Sequence, residues 1–136
     1  MVLENQTTKK SYHGLIIDGD PEMARVLETA LNNASYATTV ASDGNEGLVV
    51  AETKFPDLIV MDLMLPRRSG FLVLERLIQT LEHPIPVIIV TGNLGDRHRA
   101  YAEMLGVAAY FHKPVKLPQL LEKIDEILNR SEMKNE

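Results

Sequence analysis

The sequence contains no cysteine among its 136 residues. Without thiols the chain can form neither disulfides nor thiolate metal sites, and this composition favours a reducing compartment. Long apolar runs are also missing, since segments such as Leu58–Met61 and Val87–Val90 are far shorter than the roughly 20 residues that cross a bilayer. The polar segment Met1–Lys10 lacks the apolar core of a secretion signal. We therefore expect a cytosolic protein.

Basic residues are not in excess either. Lys and Arg together number 14 against 19 Asp and Glu, and the net charge is −5. Nothing in this balance attracts nucleic acid or an anionic membrane, so we expect no direct contact with either. A hydrophobic fraction of 45% and a charged fraction of 24% are typical of one globular domain. We place that domain at residues 11–130, between polar tails at residues 1–10 and 131–136.

Short apolar runs alternate with segments of helical periodicity along the domain. The predicted strands are His13–Ile17, Ala37–Ala41, Leu58–Met61, Val87–Val90 and Tyr110–His112. A helix follows each strand, and five strands alternating with five helices predict an α/β fold, with a parallel sheet covered on both faces. Right-handed crossovers leave few topologies for such a chain, of which the flavodoxin-like order is one.

Two of the predicted helices have features that the structure can test. Asp20 is suited to cap the first helix, because Pro21 then occupies the first helical position, where its missing N–H costs nothing. The fourth helix has the weakest pattern. Its apolar positions are Ala100, Tyr101, Met104 and Leu105, and Gly106 closes it.

Polar side chains stand just beyond the ends of several predicted strands. They are Asp18 to Asp20, Asp62, Thr91 and Lys113. Ligands of parallel sheets bind at these carboxyl ends, so we expect the side chains to share one crevice. Carboxylates from two strands suit Mg²⁺, and an aspartate can act as the nucleophile toward a phosphoryl group. An ammonium and a hydroxyl beside them would neutralise charge on the transferred oxygens.

Four segments containing these residues resemble the signature blocks of response-regulator receiver domains of two-component signalling. They are Leu15–Pro21, Ile59–Pro66 with Gly70, Val90–Gly92 and Tyr110–Pro114. The resemblance runs from about Leu15 to Leu128 and implies the flavodoxin-like fold with strand order 2-1-3-4-5. In this family the bond that corresponds to Lys113–Pro114 is usually cis.

The resemblance also implies a role for each matching residue. Asp62 corresponds to the aspartate that becomes phosphorylated, and the backbone carbonyl of Met64 to a metal ligand. Thr91 corresponds to the hydroxyl that bonds the phosphoryl group and turns inward on activation. Tyr110 corresponds to the aromatic rotamer switch and Lys113 to the lysine that pairs with the phosphate. The implied cofactor is Mg²⁺, held by Asp18, Asp62 and the Met64 carbonyl.

The chain departs from the family at Gly19. The family normally has two adjacent acidic residues here, and the second is usually the direct metal ligand. In this sequence only Asp18 is retained, and Asp20 follows one residue later. Three alternatives remain open: water fills the vacancy, the glycine lets Asp20 swing in as a further ligand, or the domain binds metal poorly.

These features lead to two functional hypotheses. The first is a phosphorelay switch that takes a phosphoryl group from a histidine kinase or phosphotransfer protein and presents a changed face to a downstream target. We expect that face to involve His98, Tyr101, Tyr110 and Lys116. The second is a degenerate receiver-fold binding module that phosphorylation does not control. Neither is a metabolic enzyme, since the chemistry is at most self-phosphotransfer and autodephosphorylation at Asp62. A homodimer is compatible with both.

Overall fold

The computed structural model of the protein describes residues 11–80 and 84–134. Five parallel strands form one sheet in the order β2-β1-β3-β4-β5. They are β1 (His13–Ile17), β2 (Ala37–Ala41), β3 (Leu58–Met61), β4 (Val87–Thr91) and β5 (Ala109–His112). This order confirms the predicted flavodoxin-like fold, because the chain switches direction across the sheet at β1, which lies between β2 and β3.

Five helices cover the two faces of the sheet. They are α1 (Pro21–Asn33), α2 (Gly44–Lys54), α3 (Gly70–Thr80), α4 (Asp96–Leu105) and α5 (Leu117–Lys134). One core cluster joins the sheet to α1 and α5, and the other joins it to α2, α3 and α4. Strand side chains alternate between the two, so that Ile16 packs in the first cluster and Leu15 and Ile17 in the second. In the described part of the chain, no helix is long and apolar enough to cross a membrane.

Helix ends follow the sequence signals at α1 and depart from them at α5. Asp20 caps α1 by accepting a hydrogen bond from the Glu22 N–H, and Pro21 lies at the start of the helix, as predicted. The polar segment expected to be a tail from Ser131 instead continues α5 as far as Lys134. The predicted N-terminal tail, residues 1–10, lies outside the described residues.

The predicted apolar residues of α4 differ in burial. Tyr101 and Met104 are 38% and 73% exposed, whereas Ala102 is fully buried. Leu105 packs against the same core cluster as Ala102, so the helix meets the core through these two residues. Gly106 ends the helix in a left-handed conformation, as the sequence indicated.

The register of the sheet positions the residues beyond the strand ends. Ile17 pairs with Met61 and Thr91 with His112, so the residues that follow emerge at one edge. The backbone N–H of Asp62 donates to the Ile17 carbonyl at 2.9 Å, and that of Lys113 to the Thr91 carbonyl at 2.7 Å. Backbone pairing therefore continues one residue past the strands and fixes where these side chains begin.

Candidate functional site

Four of the predicted side chains meet at the carboxyl edge of the sheet and form what we call the acidic pocket. Asp18 follows β1, Asp62 follows β3, Thr91 ends β4 and Lys113 follows β5. Asp18, Asp62 and Thr91 are 2%, 6% and 0% exposed. Two carboxylates and a hydroxyl buried this deeply require hydrogen-bond partners, and the pocket provides them.

Asp62 accepts more hydrogen bonds than Asp18 does. Its Oδ1 accepts from the Met64 N–H at 2.9 Å and from the Thr91 hydroxyl at 2.6 Å. Its Oδ2 accepts from the Lys113 ammonium at 2.8 Å. These three donors hold the carboxylate in one orientation.

Lys113 bridges the two carboxylates. Its ammonium lies 2.8 Å from Asp62 Oδ2 and 3.0 Å from Asp18 Oδ2. Burial alone would lower the pKa of Lys113, but the hydrogen bonds to Asp62 and Asp18 outweigh it and raise the pKa above its usual 10.5. The side chain is therefore a cation at neutral pH. The Lys113–Pro114 peptide is cis, as the resemblance implied.

Asp18 accepts hydrogen bonds from two donors, one fewer than Asp62. Its Oδ1 accepts from the Asp20 N–H at 2.9 Å, and its Oδ2 bonds only Lys113. Burial raises the pKa of Asp18, the Asp20 N–H and the Lys113 ammonium oppose that rise, and the charge on Asp62 adds to it. Two carboxylates thus share one ammonium.

Gly19 stands where the proline ring of Pro66 leaves no room for a side chain. A Cβ on Gly19 would lie 2.8 Å from Pro66 Cδ and 3.3 Å from Pro66 Cγ. The neighbouring Asp20 does not turn into the pocket in place of the missing acid, because its side chain caps α1.

The donors for Mg²⁺ predicted from the sequence are therefore reduced to Asp18, Asp62 and the Met64 carbonyl. Among the described residues, no three His, Asp or Glu side chains converge as a metal-holding group. The two carboxylates that do converge already bind one ammonium between them. The arrangement fits a lysine bridge and does not fit a resident divalent cation, which would lie beside that positive charge.

The two residues predicted to form the switch are both in contact with the core. The Thr91 hydroxyl donates to Asp62. Tyr110 is 8% exposed, and none of the described residues forms a hydrogen bond with its buried hydroxyl. The guanidinium of Arg99 lies 5.3 Å from the centre of its ring. Burial raises the pKa of Tyr110, and Arg99 partly opposes the rise.

The other residues of the predicted binding face lie on and around α4. His98 and Tyr101 both contact the ring of Phe71, at 5.6 and 5.4 Å between ring centres. The Tyr101 hydroxyl donates to Glu75 of α3. Lys116 is exposed in the segment between β5 and α5.

Two functional contacts were not predicted from the sequence. One is the Met64 N–H, which orients Asp62, although only the carbonyl of that residue was named. The other is the contact of Lys113 with Asp18, since the resemblance assigned the lysine to the phosphate alone. The positions beyond the strand ends predicted that these residues lie close together. No sequence pattern indicates which carboxylate oxygen a flexible lysine binds.

Comparisons with known proteins give matches over most of the chain. The family model of the response regulator receiver domain matches residues 15–125. A probable transcriptional regulator, ycf27, of Cyanidium caldarium is 30% identical over 135 residues, or 99% of this chain and 53% of that protein. The alkaline phosphatase synthesis transcriptional regulatory protein PhoP of Bacillus subtilis is 33% identical over 119 residues, or 88% of this chain and 49% of that protein. The chain thus spans about half the length of these curated relatives.

Solved structures give the same result. A response regulator receiver domain protein (CheY-like) from Methanospirillum hungatei aligns with a TM-score of 0.85 and 30% identity. The alignment covers 92% of this chain and 99% of that one.

Proposed function

Because the chain belongs to the response regulator receiver domain family, we propose that it is a phosphorelay switch that accepts a phosphoryl group from a histidine kinase on Asp62. The observation that carries the proposal is the Asp62 carboxylate, which is 6% exposed and bonded by Met64, Thr91 and Lys113. A nucleophile held in this way has a fixed direction of attack, which is a large part of what positioning contributes to catalysis.

The proposed reaction is a phosphoryl transfer between two side chains. A carboxylate oxygen of Asp62 attacks the phosphorus of a phosphohistidine, a P–O bond forms and the P–N bond breaks. The imidazole leaves with the electron pair of that bond. Charge spreads over the phosphoryl oxygens, where the Lys113 ammonium pairs with it and the Thr91 hydroxyl can donate to it. Water later attacks the same phosphorus, the P–O bond to Asp62 breaks, and inorganic phosphate and the free Asp62 carboxylate are released.

Receiver domains typically bind Mg²⁺ in the acidic pocket. In this chain the donors for such an ion would be Asp18, Asp62 and the Met64 carbonyl. The lysine bridge already neutralises part of the charge there, so the steps above depend only on the chain's own residues.

The partners follow from the same proposal. They are a sensor histidine kinase or phosphotransfer protein upstream and a target protein downstream. Phosphorylation would alter the contacts of Thr91 and thereby the environment of Tyr110, at the face formed by α4, β5 and α5. Two curated relatives are named as transcriptional regulators, and they are about twice as long as this chain. The absence of direct nucleic-acid contact, the cytosolic location and a homodimer remain predictions.

The degenerate binding module is not favoured. Its motivation was Gly19, which affects metal binding, whereas the acceptor, hydroxyl and lysine are present and in contact with one another.

Phosphorylation with a small phosphodonor tests the assignment of Asp62. Incubation of the chain with acetyl phosphate should add one phosphoryl group, seen by intact mass, and Asp62→Asn should abolish it because the amide is no nucleophile. Asp125→Asn makes the same charge change on the exposed side of α5 and should be labelled like the wild type. Equal labelling of Asp62→Asn and the wild type would refute the assignment.

A further inference from the structure

We propose that the resident cation of the acidic pocket is the Lys113 ammonium, and that the chain consequently binds Mg²⁺ only weakly until that ammonium is removed. The inference deepens the proposed function, on which its relevance to phosphoryl transfer rests. It concerns the metal requirement of this chain, which differs from the family pattern.

The oxygens of the two pocket carboxylates are already engaged in hydrogen bonds. All four oxygens of Asp18 and Asp62 accept hydrogen bonds, from Asp20, Met64, Thr91 and Lys113. Oδ2 of each carboxylate is the oxygen that bonds the ammonium, at 3.0 and 2.8 Å. Lys113 therefore occupies the gap between the two carboxylates, which is the position from which one cation neutralises both.

The Pro66 ring occupies the space that a third acidic ligand at position 19 would need. A Cβ at Gly19 would lie 2.8 Å from Pro66 Cδ, closer than side-chain carbons approach in proteins, and 3.4 Å from the Ser42 carbonyl oxygen. The proline ring is rigid, so it cannot yield as a flexible side chain would. Asp20, the nearest other acid, accepts the Glu22 N–H at the start of α1.

Electrostatic repulsion also disfavours a divalent cation in this pocket. A divalent cation bound to Asp18 and Asp62 would lie within a few ångströms of the Lys113 ammonium, where like charges repel. With a third carboxylate the pocket would hold enough negative charge for both cations. With two, the ion and the lysine compete for the same oxygens. Removal of the ammonium should therefore convert the pocket from a lysine bridge to a Mg²⁺ site.

Titration of the isotope-labelled chain with MgCl₂ tests this inference, with amide signals of Asp18, Gly19 and Met64 as the readout. Ionic strength is held constant with NaCl, and no phosphodonor is present. Lys113→Gln should bind Mg²⁺ at least about tenfold more tightly than the wild type, because it removes one positive charge beside the ion. Lys113→Arg keeps the charge and should bind as weakly as the wild type.

One control and one further variant accompany the titration. Lys116→Gln makes the same change of net charge at an exposed position of the neighbouring segment and should not gain affinity. Lys113→Met repeats the test with an apolar stem, should the glutamine variant fold poorly. Equal affinity of the wild type and the neutral Lys113 variants would overturn the proposal. Saturation of the wild-type signals at low-millimolar Mg²⁺ would overturn it without any variant.

The titration and the phosphorylation assay fail independently. Weak Mg²⁺ binding that Lys113→Gln strengthens supports the inference even if Asp62 is never labelled. Labelling of Asp62 supports the proposed function even if the wild type binds Mg²⁺ tightly.

Discussion

The ring of Pro66, 47 positions further along the chain, leaves space for glycine but not for a larger residue at position 19. The sequence marks Gly19 as a departure from the family, but it does not show that Pro66 covers it, since the path of the loop after β3 depends on tertiary packing. Gly70 in the same loop is constrained in a similar way, because a Cβ there would lie 2.3 Å from the Leu63 carbonyl oxygen.

Replacement of Gly19 by alanine should lower the free energy of unfolding by about 1–3 kcal/mol, since the added methyl group overpacks against Pro66. In a Pro66→Ala background the same replacement should cost little, because the ring carbons in contact are gone. Gly92→Ala is the matched control, as its Cβ would meet only Met64 Sδ at an ordinary 3.6 Å. Urea denaturation of the four proteins measures the coupling, and an equal cost of Gly19→Ala in both backgrounds would contradict the steric explanation.

The buried hydroxyl of Tyr110 has no hydrogen-bond partner within residues 11–80 and 84–134. Tyr110→Phe should therefore stabilise the protein, by about 1 kcal/mol, because it removes an unpaired polar group from a buried position. Tyr101→Phe should have the opposite sign, since it loses the hydrogen bond to Glu75. Thermal unfolding of both variants checks the signs. A destabilised Tyr110→Phe protein would mean that the hydroxyl is bonded in solution.

At the scale of single elements, the start of α1 was predicted correctly. The Asp20–Pro21 pair determines the start of α1 through local chemistry alone, which is why sequence suffices there. The burial of α4 could not be predicted in the same way, because its few apolar residues do not form a clear stripe. Ala102 and Leu105 pack against the core, whereas Tyr101 and Met104 are exposed.

Substitutions of Asp20 can distinguish the contribution of its N-cap hydrogen bond to stability from the contribution of its charge. Asp20→Ala should cost about 1 kcal/mol of stability, because the Glu22 N–H loses its acceptor. Asp20→Ser removes the same charge but keeps an acceptor and should retain most of the stability. Urea denaturation distinguishes the two, and an equal loss in both variants would show that the charge, not the cap, is what matters.

At the scale of the whole molecule, the sheet topology explains why the pocket residues could be predicted. Parallel strands place their carboxyl ends at one edge, so residues just past β1, β3, β4 and β5 converge whatever the loops do. The hydrogen bonds among them could not be predicted, because they depend on rotamers and on which of two carboxylates a lysine approaches.

The lysine bridge should make the free energy of unfolding depend on pH in the alkaline range. The folded-state pKa of Lys113 is raised above 10.5, so its stabilisation is fully present below 10.5 and is lost as pH rises beyond that value through the folded pKa. At pH 8 the wild type should exceed Lys113→Met by about 1–2 kcal/mol, and the difference should shrink above pH 10.5.

Guanidinium denaturation of both proteins from pH 8 upward measures that difference. Lys116→Met accounts for the general effect of losing one lysine from this segment. A difference between wild type and Lys113→Met that stays constant through the alkaline range would contradict the assigned ion pair.

The separation of the pocket residues along the chain has a consequence for biosynthesis. Lys113 lies 51 residues after Asp62 and 95 after Asp18. At ribosomal speed, roughly 3–10 s pass between synthesis of the acceptor aspartate and synthesis of its lysine. During that time the nascent chain carries both acids without their cation, and the strand that holds the lysine is absent. We therefore expect that a ribosome-bound, half-made switch is not a substrate for the kinase, and that competence arises only when the last strand joins the sheet.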